Sequence, residues 1–571
     1  MPMNPTRSSA SSWRTVIRWV AIGCVVLGIG LRLWAIDHNI LWHDEVLTAV
    51  SAAGHRLPVL QAREFANKLV MQPELVAYLG PKGQPWHTVF ASVTGNPEHP
   101  PLYYLLTRFW MECFGSSALA LRSLPTIFGL AVFPALYWVC WELTRSPLVG
   151  WVAMALVALS PFHVLYGREV REYSLWAALL LVLGALLLRA LRLGERAATW
   201  GDRVRAWWPY SLVLALGLYT SLLTVYVSVG QGLYVLWLDR GRLGWRVRSL
   251  ILAGLAGGLL FLPWALVLLN HWEAARQLTA WMTAYEEPRI QVLRRLVIQV
   301  LRGFTDWVPV GAGWWGAGLF CAIALGVLIW LQRQFPLRVS GWVLTLTLVS
   351  TSLLVIPDLL DGGLRSISTR YWTPTYLGLQ IAFAILIVQG LTHGPTLRRS
   401  LAAIGASLLL TISLNGSWQL MTATTNWAKG ISVSLPAFAE QINAAANPLV
   451  IADGFGYRAG NTIALALRLR PNVPFYLVSD FRQVNPGDLQ LLKTAIGQMT
   501  PPVSDLYVLN LMPPFREAIE TELKGQIQPL GGDNMAWLDR LQLPSPIAAQ
   551  KPMPLNSNPD QLQPQQKRQG V

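Results

Sequence analysis

The sequence predicts an all-α polytopic membrane domain followed by a small extracytoplasmic α/β domain, and three observations carry that expectation. Hydrophobic residues make up 53% of the 571-residue chain and charged residues only 13%, with a mean hydropathy of +0.40, a composition that soluble domains of this length do not have. Long apolar runs recur from near residue 17 to near residue 418, and most reach the roughly 18 to 20 residues a helix needs to cross about 30 Å of hydrocarbon. Beyond residue 418, short strand-like segments alternate with helical patterns.

The placement of charge orients these runs. A net charge of +15 and a pI near 9.9 raise the question of a nucleic-acid partner. The arginines, however, sit in short loops between apolar runs: Arg189, Arg192, Arg196, Arg203 and Arg205, then Arg240, Arg242, Arg246 and Arg248, then Arg333 and Arg338, then Arg398 and Arg399. Basic loops that alternate with apolar spans follow the positive-inside rule and leave no continuous stripe for a nucleic acid. Residues 1–16 form a cytoplasmic N-terminus. Arg7, Arg14 and Arg18 precede the first apolar run, which ends in Leu33-Trp34-Ala35-Ile36 without a small-residue cleavage site. It is expected to stay as the first helix, cytoplasmic end first.

About eleven crossings are expected in a membrane domain over residues 17–418. They lie at 17–36, 121–142, 148–165, 174–192, 207–221, 222–238, 250–269, 313–331, 339–357, 371–390 and 400–418. The stretch Pro100 to Gly115 carries Arg108 and Glu112. Counting it as a span would invert every later basic loop, so it is expected to lie flat on the outer surface as an amphipathic helix. Four segments then face outward: the long loop 37–120, the turn 166–173, the loop 270–312 and the turn 358–370. Residues 419–543 are read as the α/β domain, with strands at Pro448 to Asp453, Pro474 to Asp480 and Asp505 to Asn510. The tail 544–571, rich in Pro, Gln and Asn, is expected to be disordered. Cys24, Cys113, Cys140 and Cys321 are scattered and imply neither a disulfide framework nor a zinc site.

Chemistry-bearing residues gather on the outward segments. Asp44 and Glu45 follow the first helix within Leu41 to Thr48. Such a pair can supply a general base, bind a divalent cation or cap a helix. Glu98-His99-Pro100-Pro101 fixes His99 at the mouth of the surface helix, either as a substrate contact or as a loop histidine beside a stiff turn. Arg168, Glu169, Arg171 and Glu172 share one short turn at the membrane surface, where charges are costly unless paired or in a wet cavity. If the turn is helical, Arg168 and Arg171 are neighbours that can grip a phosphate together; the alternative is an internal ion-pair cluster. Arg370, at the entrance of a late span, either completes that anion site or snorkels to lipid headgroups.

Taken in order, several motifs resemble the polytopic GT-C glycosyltransferases, in particular the protein O-mannosyltransferase-like branch that includes the bacterial aminoarabinose transferases. The resemblance spans about residues 15 to 420. It rests on Asp44-Glu45 after the first helix, His99-Pro-Pro-Leu-Tyr-Tyr104, Leu121-Arg-Ser-Leu-Pro-Thr126, Ser160-Pro-Phe-His163 leading into Arg168 to Tyr173, and Arg370-Tyr371 with Pro374. It implies inverting transfer of a sugar from a polyprenyl-phosphate donor to a lipid, glycan or protein acceptor at the outer face. Asp44 would be the base and Glu45 its companion, with His99 and Tyr103 beside the substrates. Arg168 to Tyr173 match a turn whose usual family form is Gln-Glu-Ala-Arg-Met-Tyr, with Arg168 replacing Gln and Glu172 replacing Met. Arg168, Glu169, Arg171, Tyr173 and Tyr371 would contact substrate, and Arg370 would neutralise the leaving phosphate. Some members use a divalent metal, for which Asp44, Glu45 and Glu169 would be the oxygen ligands. The competing class is a transporter or flippase of a lipid-linked sugar, but no internal repeat is visible and the ionisable residues sit at helix ends instead of the midplane.

Overall fold

In the computed structural model, helices occupy the places where the sequence puts crossings. The structure describes the chain except residues 1–4, 57–66, 82, 284–287, 306–312, 394, 425–431, 455–456, 479, 483–485, 523, 534 and 543–571. The expectation for the tail lies outside the described residues. So do Arg63, Glu64 and Lys82 of the first outer loop.

The helices that matter here are α1 (Pro5–Leu33), α2 (His43–Ala52), α3 (Leu102–Phe114), α4 (Ala118–Thr144), α5 (Pro147–Leu159), α6 (Pro161–Tyr166), α7 (Tyr173–Gly194), α8 (Trp200–Thr220), α9 (Thr224–Leu238), α10 (Trp245–Asn270), α11 (Arg289–Arg302), α12 (Gly313–Gln334), α13 (Leu337–Asp361), α14 (Thr373–Thr392), α15 (Thr396–Thr422), α16 (Tyr457–Ala466) and α17 (Pro486–Gln498). Among the described residues, eight helices are long and apolar enough to cross a bilayer: α1, α4, α7, α10, α12, α13, α14 and α15. The chain is a mostly helical, multi-pass membrane protein. The other three expected spans are shorter or more polar: α5 with α6, α8, and α9.

Local chemistry explains the breaks. The predicted span 148–165 is two helices because Ser160 caps α6, its hydroxyl facing the His163 amide at 3.5 Å, and Pro161 at the first helical position cannot continue α5. Helix α8 ends at Thr220 and α9 restarts at Thr224, close to the break read at Tyr219 to Ser221. The short helix α3 sits where a surface helix was expected. It turns Phe109 and Phe114 outward and buries Arg108, which pairs with Glu112 at 2.8 Å and donates to the Ala53 carbonyl at 2.9 Å.

The largest departure concerns the α/β domain. Three strands were expected, whereas the sheet has six in the order β1-β3-β2-β4-β6-β5. The strands are β1 (Lys68–Met71), β2 (Pro448–Asp453), β3 (Pro474–Val478), β4 (Asp505–Leu509), β5 (Gln526–Gly532) and β6 (Trp537–Gln542). Strand β2 runs parallel to β3 and β4, as helical crossovers require. Strand β1 comes from the first outer loop and pairs antiparallel with β3, Lys68 opposite Leu477 and Met71 opposite Pro474. The first outer loop and the C-terminal region therefore form one body. Their shared apolar core runs from α4 and α7 through α2 to one face of the sheet, and a second cluster, including Leu449, Phe481 and Leu492, lies on the other face.

Helix α16 packs against α2, and Gly460 sets how closely. A Cβ at position 460 would lie 2.9 Å from the His43 Cβ and 3.0 Å from the His43 carbonyl oxygen. Overpacking of this kind costs about 1–3 kcal/mol. Gly460→Ala should therefore lower the thermal unfolding midpoint of the purified protein and displace the first turn of α2; an unchanged midpoint would show that the two helices separate freely.

Candidate active site

Everything at the site is hung from α2. Its first turn holds His43, Asp44 and Glu45, and the two carboxylates point to different partners. Glu45 is buried and clasped by Arg122 of α4, with Nε to Oε1 at 2.9 Å and Nη2 to Oε2 at 2.7 Å. The Trp42 amide donates to Glu45 Oε2 at 3.2 Å and the Val170 amide to Oε1 at 3.1 Å. The capping role weighed for Asp44 thus falls to Glu45. Arg122 also donates to the carbonyls of Ile36, Asn39 and Ile40 at 3.2, 2.8 and 2.9 Å. One buried ion pair thereby fixes the exit of α1, the start of α2, α4 and the turn before α7 in a common frame.

Asp44 looks the other way. Its Oδ2 lies 3.1 Å from Arg370 Nη1 and its Oδ1 3.2 Å from His43 Nε2. Burial pushes the Asp44 carboxyl up, but His43, Arg171 and Arg370 outweigh it and hold the group well below the ordinary aspartate value. Arg171 donates to Thr48 Oγ1 at 3.0 Å and pairs with Glu172 at 3.3 Å. The guanidinium of Arg370 lies 5.5 to 5.8 Å from the ring centres of Tyr173, Tyr371 and Trp42, within cation–π range. Arg171 sits 5.8 Å from the Tyr173 ring. Residues 326 positions apart in sequence are in direct contact.

Glu98 and His99 border this cluster, 3.9 Å apart and partly open to solvent. Burial pushes the Glu98 carboxyl up to about 7, with Arg171 pulling the other way. Burial, followed by Arg171, lowers His99 to about 4, so its ring is neutral at physiological pH. Tyr103 and Tyr104 are buried behind them, and Arg171 and Glu172 act on both phenols.

The turn 167–172 is not helical, and this separates the two arginines expected to act together. Arg168 points away from Asp44: its Nη2 donates to the Ala35 carbonyl at 2.5 Å and its Nη1 contacts the sulfur of Met421. With Glu169, Asn39, Arg122 and Met421 it lines a small separate cavity. Burial and the neighbouring Arg122 lower it to about 10. The ion-pair alternative is realised in part, by Arg171 with Glu172.

The three carboxylates expected to ligate a divalent metal do not all converge. Asp44 faces His43 and Arg370, whereas Glu45, engaged by Arg122 and two backbone amides, borders the small cavity that Glu169 also lines. Among the described residues, no group of three His, Cys, Asp or Glu is arranged for a metal. The donor set does not fit a divalent cation, because guanidinium groups already occupy the positions next to Asp44 and Glu45.

Arg122 and Trp42 are residues of the cluster to which sequence reasoning gave no role, whereas Glu98 and Glu172 were noted there, Glu172 as an ion-pair partner. Arg122 had a readable signal, as a charge inside an apolar run at Leu121 to Thr126.

No family model matches the chain, and no curated protein matches it. Among solved structures, the chain is similar to the aminoarabinose transferase ArnT from Cupriavidus metallidurans bound to undecaprenyl phosphate, at 14% identity and a TM-score of 0.48, over 95% of this chain and 100% of that one. It is also similar to the archaeal oligosaccharyltransferase AglB from Archaeoglobus fulgidus in complex with an inhibitory peptide and a dolichol-phosphate, at 11% identity and a TM-score of 0.46, over 89% of this chain and 70% of that one.

Two outcomes follow from this geometry. Arg122→Ala strands a buried carboxylate and should destabilise the protein by about 3–5 kcal/mol, read as a fall in unfolding temperature, with much of the loss recovered when Glu45→Gln is added. Because the native Glu98 carboxyl binds its proton more tightly than the unfolded one, its contribution to stability is complete below the unfolded pKa and lost as pH rises through about 7. Between pH 5 and 7.5, Glu98→Gln should gain on the wild type by up to about 3 kcal/mol; a pH-independent difference would place Glu98 in ordinary solvent.

Proposed function

We propose that the chain is a membrane glycosyltransferase of the GT-C type that moves a sugar from a polyprenyl-phosphate donor to an acceptor at the extracytoplasmic face. The observation that carries this reading is the contact between Asp44 and Arg370, with Arg171 held beside it. A base and two fixed cations in one cluster at the helix ends suit a substrate whose phosphate lies at the membrane interface and whose tail stays in lipid. In this reading the N-terminus is cytoplasmic, and the C-terminal sheet lies outside, against the site.

In the reaction so assigned, the acceptor's O–H or N–H approaches the anomeric carbon from the side opposite the phosphate. A bond forms between the acceptor atom and that carbon while the carbon–oxygen bond to phosphate breaks, and the polyprenyl phosphate leaves with the electron pair. Asp44 takes the acceptor's proton, and the configuration at carbon inverts. Arg370 and Arg171 hold the leaving phosphate. Fixed guanidinium groups that need no reorganisation stabilise such charge by several kcal/mol.

The depressed pKa of Asp44 has a mechanistic use. Paired with Arg370 it is ionised but a weak base. A donor phosphate that shares the fixed Arg370 guanidinium offsets part of its pull and makes Asp44 a stronger base when the donor is in place, while His43 and Arg171 keep it ionised. Glu45 is then a positioning residue, held by Arg122, and Arg168 with Glu169 lies outside the reacting cluster. His99, neutral and at the rim, is placed to meet the acceptor.

Asp44→Asn should reduce transfer of radiolabelled sugar from a polyprenyl-phosphate donor by about 10²–10⁴-fold, with the protein still folded and in the membrane but at a lower unfolding temperature, because the ionised Asp44 stabilises the fold through its cationic partners. Arg370→Ala should cost about 10²–10³-fold. Full transfer by Asp44→Asn would remove it as the base. Movement of the labelled lipid across vesicles without any acceptor would favour a flippase instead.

A further inference from the structure

Helix α11 breaks the charge pattern that orients the rest of the chain. The arginine-rich loops join helices at the end of the bundle away from Asp44, yet α11 lies at the same end as Arg370: its Arg302 donates to Thr369 Oγ1 at 2.9 Å. Its sequence, RIQVLRRLVIQVLR, holds four arginines and no acidic residue. By the rule that places basic segments on the cytoplasmic side, a helix of this composition is unexpected here unless something anionic meets it.

The two ends of α11 lie in different surroundings. The C-terminal end enters the bundle. The carbonyl of Gly303 accepts from Ser160 Oγ at 2.7 Å and from Gln380 Nε2 at 3.1 Å, and the carbonyl of Phe304 accepts from Ser413 Oγ at 2.7 Å. Gln299, fully buried, ties the middle of the helix to the segment before Arg370, donating to the Ile367 carbonyl at 2.6 Å. The N-terminal half stays outside, with Arg289, Ile290, Leu293 and Arg294 all exposed. Arg289 reaches the end of α13, where it donates to the Leu360 carbonyl at 2.7 Å. The nearby Asp361 is engaged by Arg365 at 2.9 Å.

Exposed arginines and exposed apolar side chains alternate on this half-helix. Ile290 is 56% exposed, Leu293 47% and the adjoining Leu360 73%. Water suits the first kind and penalises the second, whereas the boundary of a bilayer suits both: acyl chains cover the isoleucine and leucines while phosphates meet the guanidinium groups. A soluble anion would leave the apolar surface uncovered, and a neutral lipid would leave the positive charge unmatched.

We propose that the N-terminal half of α11 is a docking site for an anionic phospholipid in the leaflet next to the Asp44–Arg370 cleft, with Arg289 and Arg294 on its phosphate and Ile290, Leu293 and Leu360 against its acyl chains. The bound lipid steadies α11, and through Gln299 and Arg302 the helix steadies the segment that carries Arg370. The proposal stands apart from the glycosyltransferase reading, because it rests on α11 and the adjoining end of α13 and its test requires no reaction.

The test uses the full-length protein with Leu293→p-benzoylphenylalanine, in vesicles of equal parts phosphatidylglycerol and phosphatidylcholine. Illumination should couple phosphatidylglycerol several-fold more than phosphatidylcholine. Adding Arg289→Gln and Arg294→Gln should bring the two lipids to near equality, while Arg240→Gln with Arg242→Gln, an equal loss of exposed charge at the other end of the bundle, should leave the preference intact. Equal coupling in the unaltered background would overturn the proposal, as would a preference that survives Arg289→Gln with Arg294→Gln, or coupling to protein in place of lipid.

Discussion

The buried pair of Arg122 and Glu45 is the constraint on which the site depends. Arg122 sits in the first turns of a membrane-spanning helix, where an unpaired charge is expensive, and its donors are spread over a carboxylate and three carbonyls from the link between the first two helices. Glu45 in turn accepts the amide of Val170, which fixes the turn that bears Arg171. Because both oxygens of Glu45 are used internally, Asp44 beside it is left to face His43 and Arg370. Two adjacent carboxylates of the same chemical type thus acquire different surroundings from the geometry of a single helical turn.

The arrangement around Asp44 also depends on the C-terminal sheet. Helix α16 lies against the turn that holds His43, and Gly460 permits that approach. Strand β1, from the loop that follows α2, is hydrogen-bonded into the same sheet. Arg468 extends the junction by donating to the His38 carbonyl at 2.5 Å. The C-terminal region forms one wall of the frame that sets the direction of Asp44.

Much of the membrane domain was legible in the sequence because apolar runs and arginine-rich loops are one-dimensional signals. The contact of Asp44 with Arg370 was legible only as a convergence of outward segments. What was not legible depends on neighbours in space. Strand β1 is four residues, Lys-Leu-Val-Met, too short to show alternation and ordered by its partner β3. Arg168 and Arg171 looked like a pair because helical spacing would place them together; in an irregular turn their side chains leave in different directions. The grouping of Asp44, Glu45 and Glu169 failed for a similar reason: Glu45 had a stronger partner, Arg122, on a helix about 77 positions further along the chain.

Strand β1 bears on how the chain can be divided. A fragment containing only the last part of the sequence would present β3 with an open backbone edge, a ready template for pairing with another copy. The membrane part alone would leave α2 without the helix that covers it. Cutting near residue 419 therefore yields neither a self-sufficient cap nor an intact core, and each half would tend to find its missing half in a second molecule, as in strand exchange between protomers.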